Sequence, residues 1–542
     1  MFISTIRSIS RLTKFHLSQY EANSKISLLS SSAITIGKRF KHVGSQSPRS
    51  GKRESGNTHH GKFEVDSVST EQHDIIAESD ESISLLDDKE YDTIVNTTMH
   101  VVNKKLLNLH NVMVLQPYIK WGPNKVKNIK PENQLAEAES LVRTLNWSVV
   151  VSLKVSLENT DRKMVFGSGK LDELKQIVNK CNSEGQPISC IFISKGTLKF
   201  VQKLSLSKFF GIPVMDRYSV VIQILRLHAI TTEARLQVAL AEIPYIRSQM
   251  REIETQGNIG QNLYLTDTQK MMLKKREKRL QQELEKLRTH RELLRNKRKQ
   301  KQFPVVAVVG YTNCGKTSLI KALTNETSLQ PRNQLFATLD VTAHAGMLPC
   351  RLEVLFMDTV GFMSDIPTGL IECFVATLED ALDADIIVHV QDISHDDWIL
   401  QRNHVEKTLI TLMRHTSSNN SINGNKKIDE KVSLDNVINV GNKIDLVSYE
   451  KTENIKDLRV VSSKTLAGIN DLLIELEEKI LQATDRVKMT IRVPMGGEEM
   501  QWLYKNTAVT SSEADPNNNQ KILLNCVISR TTLEIFKHRF IG

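Results

Sequence analysis

Short apolar runs separated by polar segments recur along most of the chain. Runs at 112–115, 149–155, 190–193 and 212–215 read as strands alternating with helical stretches, so 100–230 is predicted to be an α/β unit. A second such series, at 303–309, 354–357, 437–440 and 458–461, predicts another α/β domain over 303–485. Between the two, Leu273, Leu280, Leu284, Leu287 and Leu294 recur at spacings of seven, four, three and seven. That is one apolar seam on a long helix, and with 232–249 as partner it predicts a coiled-coil-like helical hairpin over 231–302. The last segment, 486–542, alternates strand-like and helical runs and reads as a small α/β appendage. A Ser/Asn/Gly-rich stretch at 416–433 predicts a surface loop. The fold class is multidomain α/β, and 542 residues suffice for several separate cores.

The chemistry enters at the start of the second series. Gly310-Tyr311-Thr312-Asn313-Cys314-Gly315-Lys316-Thr317 joins an apolar strand to a helix beginning near Ser318, the pattern of a phosphate-binding P-loop. The glycines let backbone N–H groups face an anion, Lys316 reaches β/γ-phosphates, and the Thr317 hydroxyl can hold Mg²⁺. Asp358-Thr359-Val360-Gly361 ends the next strand; its Asp can take a Mg²⁺-bound water and the Gly361 amide can donate to a γ-phosphate. Asn442-Lys443-Ile444-Asp445 ends a third, and all three motifs sit where open parallel sheets place ligands. A carboxylate at Asp445 matches guanine N1–H and its 2-amino group, which adenine lacks, so GTP/GDP is expected over ATP. Ser462, Ser463 and Lys464 are the matching candidates at the guanine carbonyl.

Three further positions bear on hydrolysis, for which Lys316, Thr338 and Gly361 are the expected catalytic residues. Many GTPases place a water-orienting glutamine directly after the glycine of the second motif, but here that residue is Phe362, which predicts slow intrinsic turnover. Thr338, just after Phe336, is the candidate switch I threonine on Mg²⁺, with Thr342 as alternative. Asn313 either ligates a K⁺ ion near the phosphates or only caps the loop. Cys314 inside the P-loop predicts that alkylation blocks nucleotide, or else it is a small residue that fits.

The P-loop sequence, Phe336-Ala337-Thr338-Leu339-Asp340, Asp358 to Phe362 and Ala376-Thr377-Leu378-Glu379 together resemble the HflX-type GTPases. Upstream, Phe166-Gly167-Ser168-Gly169-Lys170, Val214-Met215-Asp216-Arg217-Tyr218 and the run from Thr232-Glu233-Ala234-Arg235 resemble the N-terminal HflX domain. The stretch with Pro117 and Lys120-Trp121-Gly122 is similar to a eukaryotic mitochondrial group of that family. The resemblance spans about residues 100–485. It implies binding to the large ribosomal subunit near the peptidyl-transferase centre, with roles in splitting ribosomes and in late large-subunit assembly. One departure is the loop at 256–262, which keeps only Gly257 and Gly260 where the family is glycine-rich.

Charge refines the picture. The net charge is +10, but residues 1–53 alone hold ten Lys/Arg against Glu21. That segment is serine-rich and can set Phe2, Ile6, Ile9 and Leu12 opposite Arg7 and Arg11, as a mitochondrial transit peptide does; a plain basic tail is the other reading. An acidic linker over 54–99 follows, expected to be disordered. From Lys270 to Lys301 there are fourteen Lys/Arg and four Glu. Lys274, Lys275, Arg276, Lys278 and Arg279 are accordingly RNA-contact candidates, unless the face is merely solvated. The six cysteines show no zinc spacing. His389, His395 and His404 read as structural, and no apolar run reaches the roughly 18 residues of a membrane span.

The expectation is a monomeric, matrix-located GTPase acting on mitochondrial large subunits and their rRNA. A GTP-regulated RNA scaffold or signalling switch is the alternative, and an ATP-driven remodeller would need a second site that Gly167-Ser168-Gly169-Lys170 is too short to establish. Base recognition is testable directly. Asp445→Asn should shift preference from GTP toward xanthosine triphosphate in competition binding, and unchanged selectivity would refute the role of that carboxylate.

Overall fold

The computed structural model describes residues 110–120, 130–157, 162–255, 267–300, 303–331, 334–336, 338, 341–364, 384–420, 436–447, 458–518 and 520–542. The expected transit segment, acidic linker, 256–262 loop and Cys373 lie outside the described residues.

The first body is a parallel sheet of β1 (Asn111–Ile119), β2 (Ser148–Leu157), β3 (Cys190–Ile193) and β4 (Val214–Asp216), ordered β2-β1-β3-β4. Parallel neighbours need crossovers, supplied here by α1 (Pro131–Thr144), α2 (Ser168–Ser183) and α3 (Phe200–Phe210), while α4 (Arg217–His228) follows β4 directly. Val112, Met113, Val114 and Leu115 are all buried because helices cover both faces. Alternation sends Val112 and Val114 into the core under α1 and α4, and Met113 and Leu115 into the core under α2 and α3. Gly211, at φ 74°, ends α3 in the left-handed region that glycine alone adopts cheaply.

A buried polar clamp ties this body to the next element. Asp216 caps α4 by accepting from Ser219 N at 2.9 Å. Its second oxygen lies 2.8 Å from the Lys203 ammonium and accepts from Leu198 N and from the Tyr245 hydroxyl, each at 3.0 Å. Lys203 and Asp216 are almost wholly enclosed, so each charge depends on the other. Tyr245 belongs to α5 (Thr232–Thr255), and its ring stacks on Tyr218 of α4 with centroids 4.3 Å apart.

α5 and α6 (Asp267–Gln300) form an antiparallel pair, with Arg247 against Glu277 at 2.5 Å and Glu233 against Arg291 at 2.8 Å. Leu273 and Leu280 are buried against the shared core, and Leu284 and Leu287 partly so. The side chain of Leu294 lies outside the described residues. Lys274, Lys275, Lys278 and Arg279 face solvent. Arg276 does not: it is 6 % exposed, turned in beside the leucine seam, which removes it from the RNA-contact candidates.

The second sheet runs β10-β9-β8-β5-β7-β6, with β5 (Val305–Gly310), β6 (Thr342–Met347), β7 (Glu353–Asp358), β8 (Ile386–Asp392), β9 (Val437–Asn442) and β10 (Arg459–Val460). Only β6 is antiparallel, along the β7 edge. Val306 and Val308 pack with Leu319 and Ile320 of α7 (Lys316–Thr324), whereas Ala307 and Val309 enter the core shared with the first body and the hairpin. One apolar core thus joins the two sheets. Beyond β8, α8 (Trp398–Asn420) continues through 416–420, so the expected surface loop begins later than the composition suggested; 421–435 lie outside the described residues.

After α9 (Ile469–Ala483), the chain ends in an antiparallel sheet of β11 (Arg486–Pro494), β12 (Ala508–Ala514) and β13 (Lys521–Ser529), ordered β11-β13-β12, with α10 (Glu498–Asn506) and α11 (Arg530–Phe540). Trp502, Phe536 and Phe540 cluster between these helices and the sheet. β12 was not anticipated, because its Thr-Ser-Ser-Glu stretch lacks an apolar alternation. This body docks on the second sheet: Thr510 donates to Cys350 O at 3.1 Å, and Glu477 accepts from Cys350 N at 2.7 Å while pairing with Lys488.

No described helix is long and apolar enough to cross a membrane. The five described cysteines are all buried and unpaired with one another. The clamp yields a stability prediction. Asp216→Ala strands the enclosed Lys203 charge and should cost about 3–5 kcal/mol, whereas Asp216→Leu combined with Lys203→Met should recover most of it. Urea denaturation of the single and double variants checks this, and equal losses in both would contradict the mutual dependence of the pair.

Candidate nucleotide-binding site

The P-loop is held open from both ends. Gly315, at φ 96°, begins α7, and a Cβ there would meet Asn442 Nδ2 at 2.4 Å. Asn442 donates to Cys314 O at 3.0 Å, and the Lys443 ammonium donates to Asn313 O at 2.8 Å while pairing with Asp392 at 2.6 Å. The third motif therefore fastens the first through side chains. Lys316 is 7 % exposed and donates to Tyr311 O at 3.1 Å and Gly310 O at 3.4 Å.

Beside it, three oxygen-bearing side chains converge. Thr317 and Thr338 donate to Asp358 Oδ2 at 2.6 and 3.1 Å, and the two hydroxyl oxygens are 3.2 Å apart. Asp358 is 2 % exposed and its Oδ1 makes no hydrogen bond. A buried carboxylate oxygen with spare acceptor capacity next to two hydroxyls is a donor set that suits a small, hard divalent cation. Among the described residues no cluster of three or more His, Cys, Asp or Glu side chains offers a metal site. Thr342 stands apart, with its hydroxyl bonded to His344 Nε2 at 2.9 Å, so Thr338 is the threonine that reaches this group.

Two cavities flank Gly315. The smaller, about 60 Å³, is lined by Thr312, Asn313, Lys316, Thr317, Ser318, Gln334, Phe336, Thr338 and Gly361 among others. The larger, about 690 Å³, is lined by Asn442, Lys443, Asp445, Ser463 and Lys464 together with α7 residues including Ser318. Ser462 is wholly buried and donates to Asp445 Oδ1 at 2.7 Å, so it orients the carboxylate from behind. Ser463 donates through N and Oγ to Asn442 Oδ1 at 3.1 and 2.9 Å.

Several expected contacts turn out to face the core. Thr359 donates to Val308 O at 2.8 Å and Val360 packs in the shared core, so neither side chain lines a cavity. Cys314 is 1 % exposed, and burial raises its thiol pKa, which favours the reading of a small residue that fits the loop over that of a reactive thiol. Phe362 is 7 % exposed and packs in the same core, away from the phosphate end. His389 is buried and pushed down to about 4 by desolvation; His404 donates to Met363 O at 3.0 Å; both are structural, as expected.

What the sequence left unread is the seam between the first body and the loops around the cavity. The Tyr311 hydroxyl donates to Glu137 of α1 at 2.9 Å, lies 2.6 Å from Ser364 Oγ and accepts from Ser364 N at 3.0 Å. Glu137 in turn lies 3.0 Å from the buried Arg217 guanidinium. Desolvation, reinforced by the Glu137 charge, holds the Tyr311 phenol far above its usual range. On the other loop, His228 Nδ1 donates to Phe336 O at 2.7 Å and Leu335 N donates to Thr144 Oγ1 at 3.4 Å. At the α1 start, Lys130 and Asn133 reach Asp396 and Asp397, each at 2.7 Å. An aromatic residue directly after Gly310, where a P-loop needs none, was the one available signal.

With this geometry in place, comparison with known proteins is informative. Residues 132–225 match the family model described as GTP-binding GTPase N-terminal, 228–298 the GTP-binding GTPase Middle Region, and 305–424 the 50S ribosome-binding GTPase. The chain is 40 % identical to GTP-binding protein 6 of Homo sapiens over 442 residues, covering 80 % of this chain and 81 % of that protein. It is 31 % identical to the GTPase HflX of Caldanaerobacter subterraneus subsp. tengcongensis over 370 residues, covering 67 % and 80 % respectively. A solved GTP-binding protein of Sulfolobus solfataricus in complex with GDP aligns at 21 % identity and TM-score 0.34, covering 69 % of this chain and 99 % of that one, a likeness too weak to build on. The chain belongs to the HflX-type GTPase family.

Proposed function

We propose that this GTPase is a mitochondrial matrix factor that binds the large ribosomal subunit and its rRNA, acting in ribosome recycling, late large-subunit assembly, or both. The observation that carries this reading is the seam: the first body touches both loops that border the phosphate cavity. Whatever the nucleotide does to those loops is felt by α1 and α4, and through Tyr245 by the hairpin with its exposed Lys274, Lys275, Lys278 and Arg279. The description of the matched family model supports the ribosomal partner, and the basic segment at 1–53 supports the compartment.

Residue roles follow from the cavity. Lys316 neutralises charge between the β- and γ-phosphates, and backbone N–H groups from Asn313 to Thr317 face the phosphates. Thr317 and Thr338 would hold Mg²⁺ directly and Asp358 through water, consistent with the unpartnered Asp358 Oδ1. That ion would screen the phosphate charge during transfer. Asn313 remains the candidate K⁺ ligand. Asp445, steadied by Ser462, reads the guanine edge, with Asn442 tying that strand end to the P-loop. Gly361 is close to Lys316, where a Cβ would meet Nζ at 3.0 Å, so its amide can approach a γ-phosphate that no bulkier residue would allow.

Because Phe362 is built into the core, the chain alone should hydrolyse GTP slowly and turn over when a partner orders the switch loops. The test uses the chain lacking residues 1–53, in K⁺ buffer, alone and with purified mitochondrial large subunits, with Lys316→Ala as blank. The expected result is stimulation of at least about tenfold, in line with the acceleration that ordering by a partner gives other GTPases. Absence of both binding and stimulation would refute the ribosomal reading and favour a GTP-regulated RNA scaffold, for which the exposed basic face of α6 already speaks.

A further inference from the structure

The loss of a glutamine at Phe362 leaves the attacking water without its usual partner, and the backbone around Phe362 shows what replaces it. Tyr311 and Phe362 form a parallel β-bridge, with Phe362 N donating to Gly310 O at 3.0 Å and Thr312 N donating to Phe362 O at 2.7 Å. Both bridged side chains enter the shared apolar core. Thr312, in the turn just after the bridged Tyr311, and Gly361, just before the bridged Phe362, both line the phosphate cavity.

Thr312 and Gly361 touch there: a Cβ on Gly361 would meet Thr312 Cα at 2.9 Å and Cγ2 at 2.8 Å. Thr312 therefore stands at the Gly361 and Lys316 end of the cavity, opposite the Thr317, Thr338 and Asp358 group. Its side chain is 6 % exposed, and Oγ1 makes no hydrogen bond. Thr317 and Thr338, by contrast, are already engaged with Asp358. A buried, unpartnered hydroxyl on a residue that lines a ligand cavity is a group whose partner can arrive with the ligand.

We propose that Thr312 is the water-orienting residue of this GTPase, doing through a P-loop hydroxyl what Phe362 cannot do. The inference rests on the GTP-hydrolysis reading of the same cavity. The hydroxyl accepts a hydrogen bond from the attacking water and donates its own to a γ-phosphate oxygen, so it neither gains nor loses a proton. Water oxygen bonds to the γ-phosphorus as the bond from phosphorus to the β,γ-bridging oxygen breaks. The bridging oxygen keeps the electron pair in GDP; one water proton stays on the hydrogen phosphate and the other passes to solvent. A neutral threonine adds orientation without a base, which matches an enzyme that waits for its partner.

The test is single-turnover GTP hydrolysis by Thr312→Val and Thr312→Ser in the full chain, alone and with large subunits, with Lys316→Ala as blank and fluorescent GDP binding as the control for an intact site. Valine keeps the shape and removes the hydroxyl. The expected outcome is a fall in kcat of at least about tenfold in Thr312→Val, with KM and GDP affinity within about twofold, and recovery of most of the rate in Thr312→Ser. A Thr312→Val rate within about twofold of the original overturns the proposal, as does a rate lost equally in Thr312→Ser. If the original chain does not exceed the Lys316→Ala blank even with subunits, the hydrolysis reading fails first and takes this inference with it. If only Gln334→Ala, another polar group lining the cavity, slows turnover, the role belongs to switch I and Thr312 is excluded.

Discussion

A phenol hydroxyl sealed between two bodies is the constraint on which the arrangement depends. Tyr311 lies where the P-loop leaves β5, and its hydroxyl has nowhere to find water, so it must be satisfied by Glu137 on one side and Ser364 on the other. Satisfying it fixes three things together: the position of α1 by the P-loop, the start of the segment that follows β7 and Gly361 (switch II), and the curvature of the loop that surrounds the phosphates. The apolar part of the same ring, with Phe362, Val360 and Val309, continues the core that also holds α4 and the hairpin. A polar link inside an apolar seam has few alternative registers, since sliding it would break the Tyr311–Glu137 bond and the Glu137–Arg217 pair at once.

This explains why Phe362 occupies a position that other GTPases give to a glutamine. The side chain serves as a staple between switch II and the core, and the cost is a missing polar group beside the γ-phosphate. Beside the Tyr311–Phe362 bridge, Thr312 lines the cavity and is the proposed replacement. The Asp216 clamp, one residue from the Arg217 that meets Glu137, performs a parallel service, locking α5 to the sheet through Tyr245. On the proposed reading, motion at the loops would reach the basic hairpin through these two buried polar joints.

How much of this the sequence disclosed depends on the range of the interaction. The P-loop, Asp358 and Asn442 to Asp445 were legible because each is a local strand–turn–helix pattern whose chemistry dictates residue type. Alternating buried strands such as 112–115 were legible for the same reason. Arg276 was misjudged on its charge, although it stands three residues after Leu273 and four before Leu280, on the spacing of the leucine seam. Thr359 and Val360 were assigned to the site with their motif, whereas Thr359 bonds the Val308 carbonyl and Val360 packs in the core. The seam itself was out of reach: Tyr311 and Glu137 are 174 residues apart, and nothing local pairs them. β12 was missed because sheet membership there comes from pairing with β13, and its own residues are mostly polar.

The central claim is that nucleotide state reaches the first body through the Tyr311 seam. The most direct test is amide hydrogen exchange in α1, which contributes no residue to either cavity, with GDP and with a non-hydrolysable GTP analogue, in the original chain and in Tyr311→Phe. The account predicts that α1 protection differs between the two nucleotides and that the difference shrinks when the hydroxyl is removed. Identical exchange in α1 under both nucleotides, with the cavity loops responding normally, would contradict it.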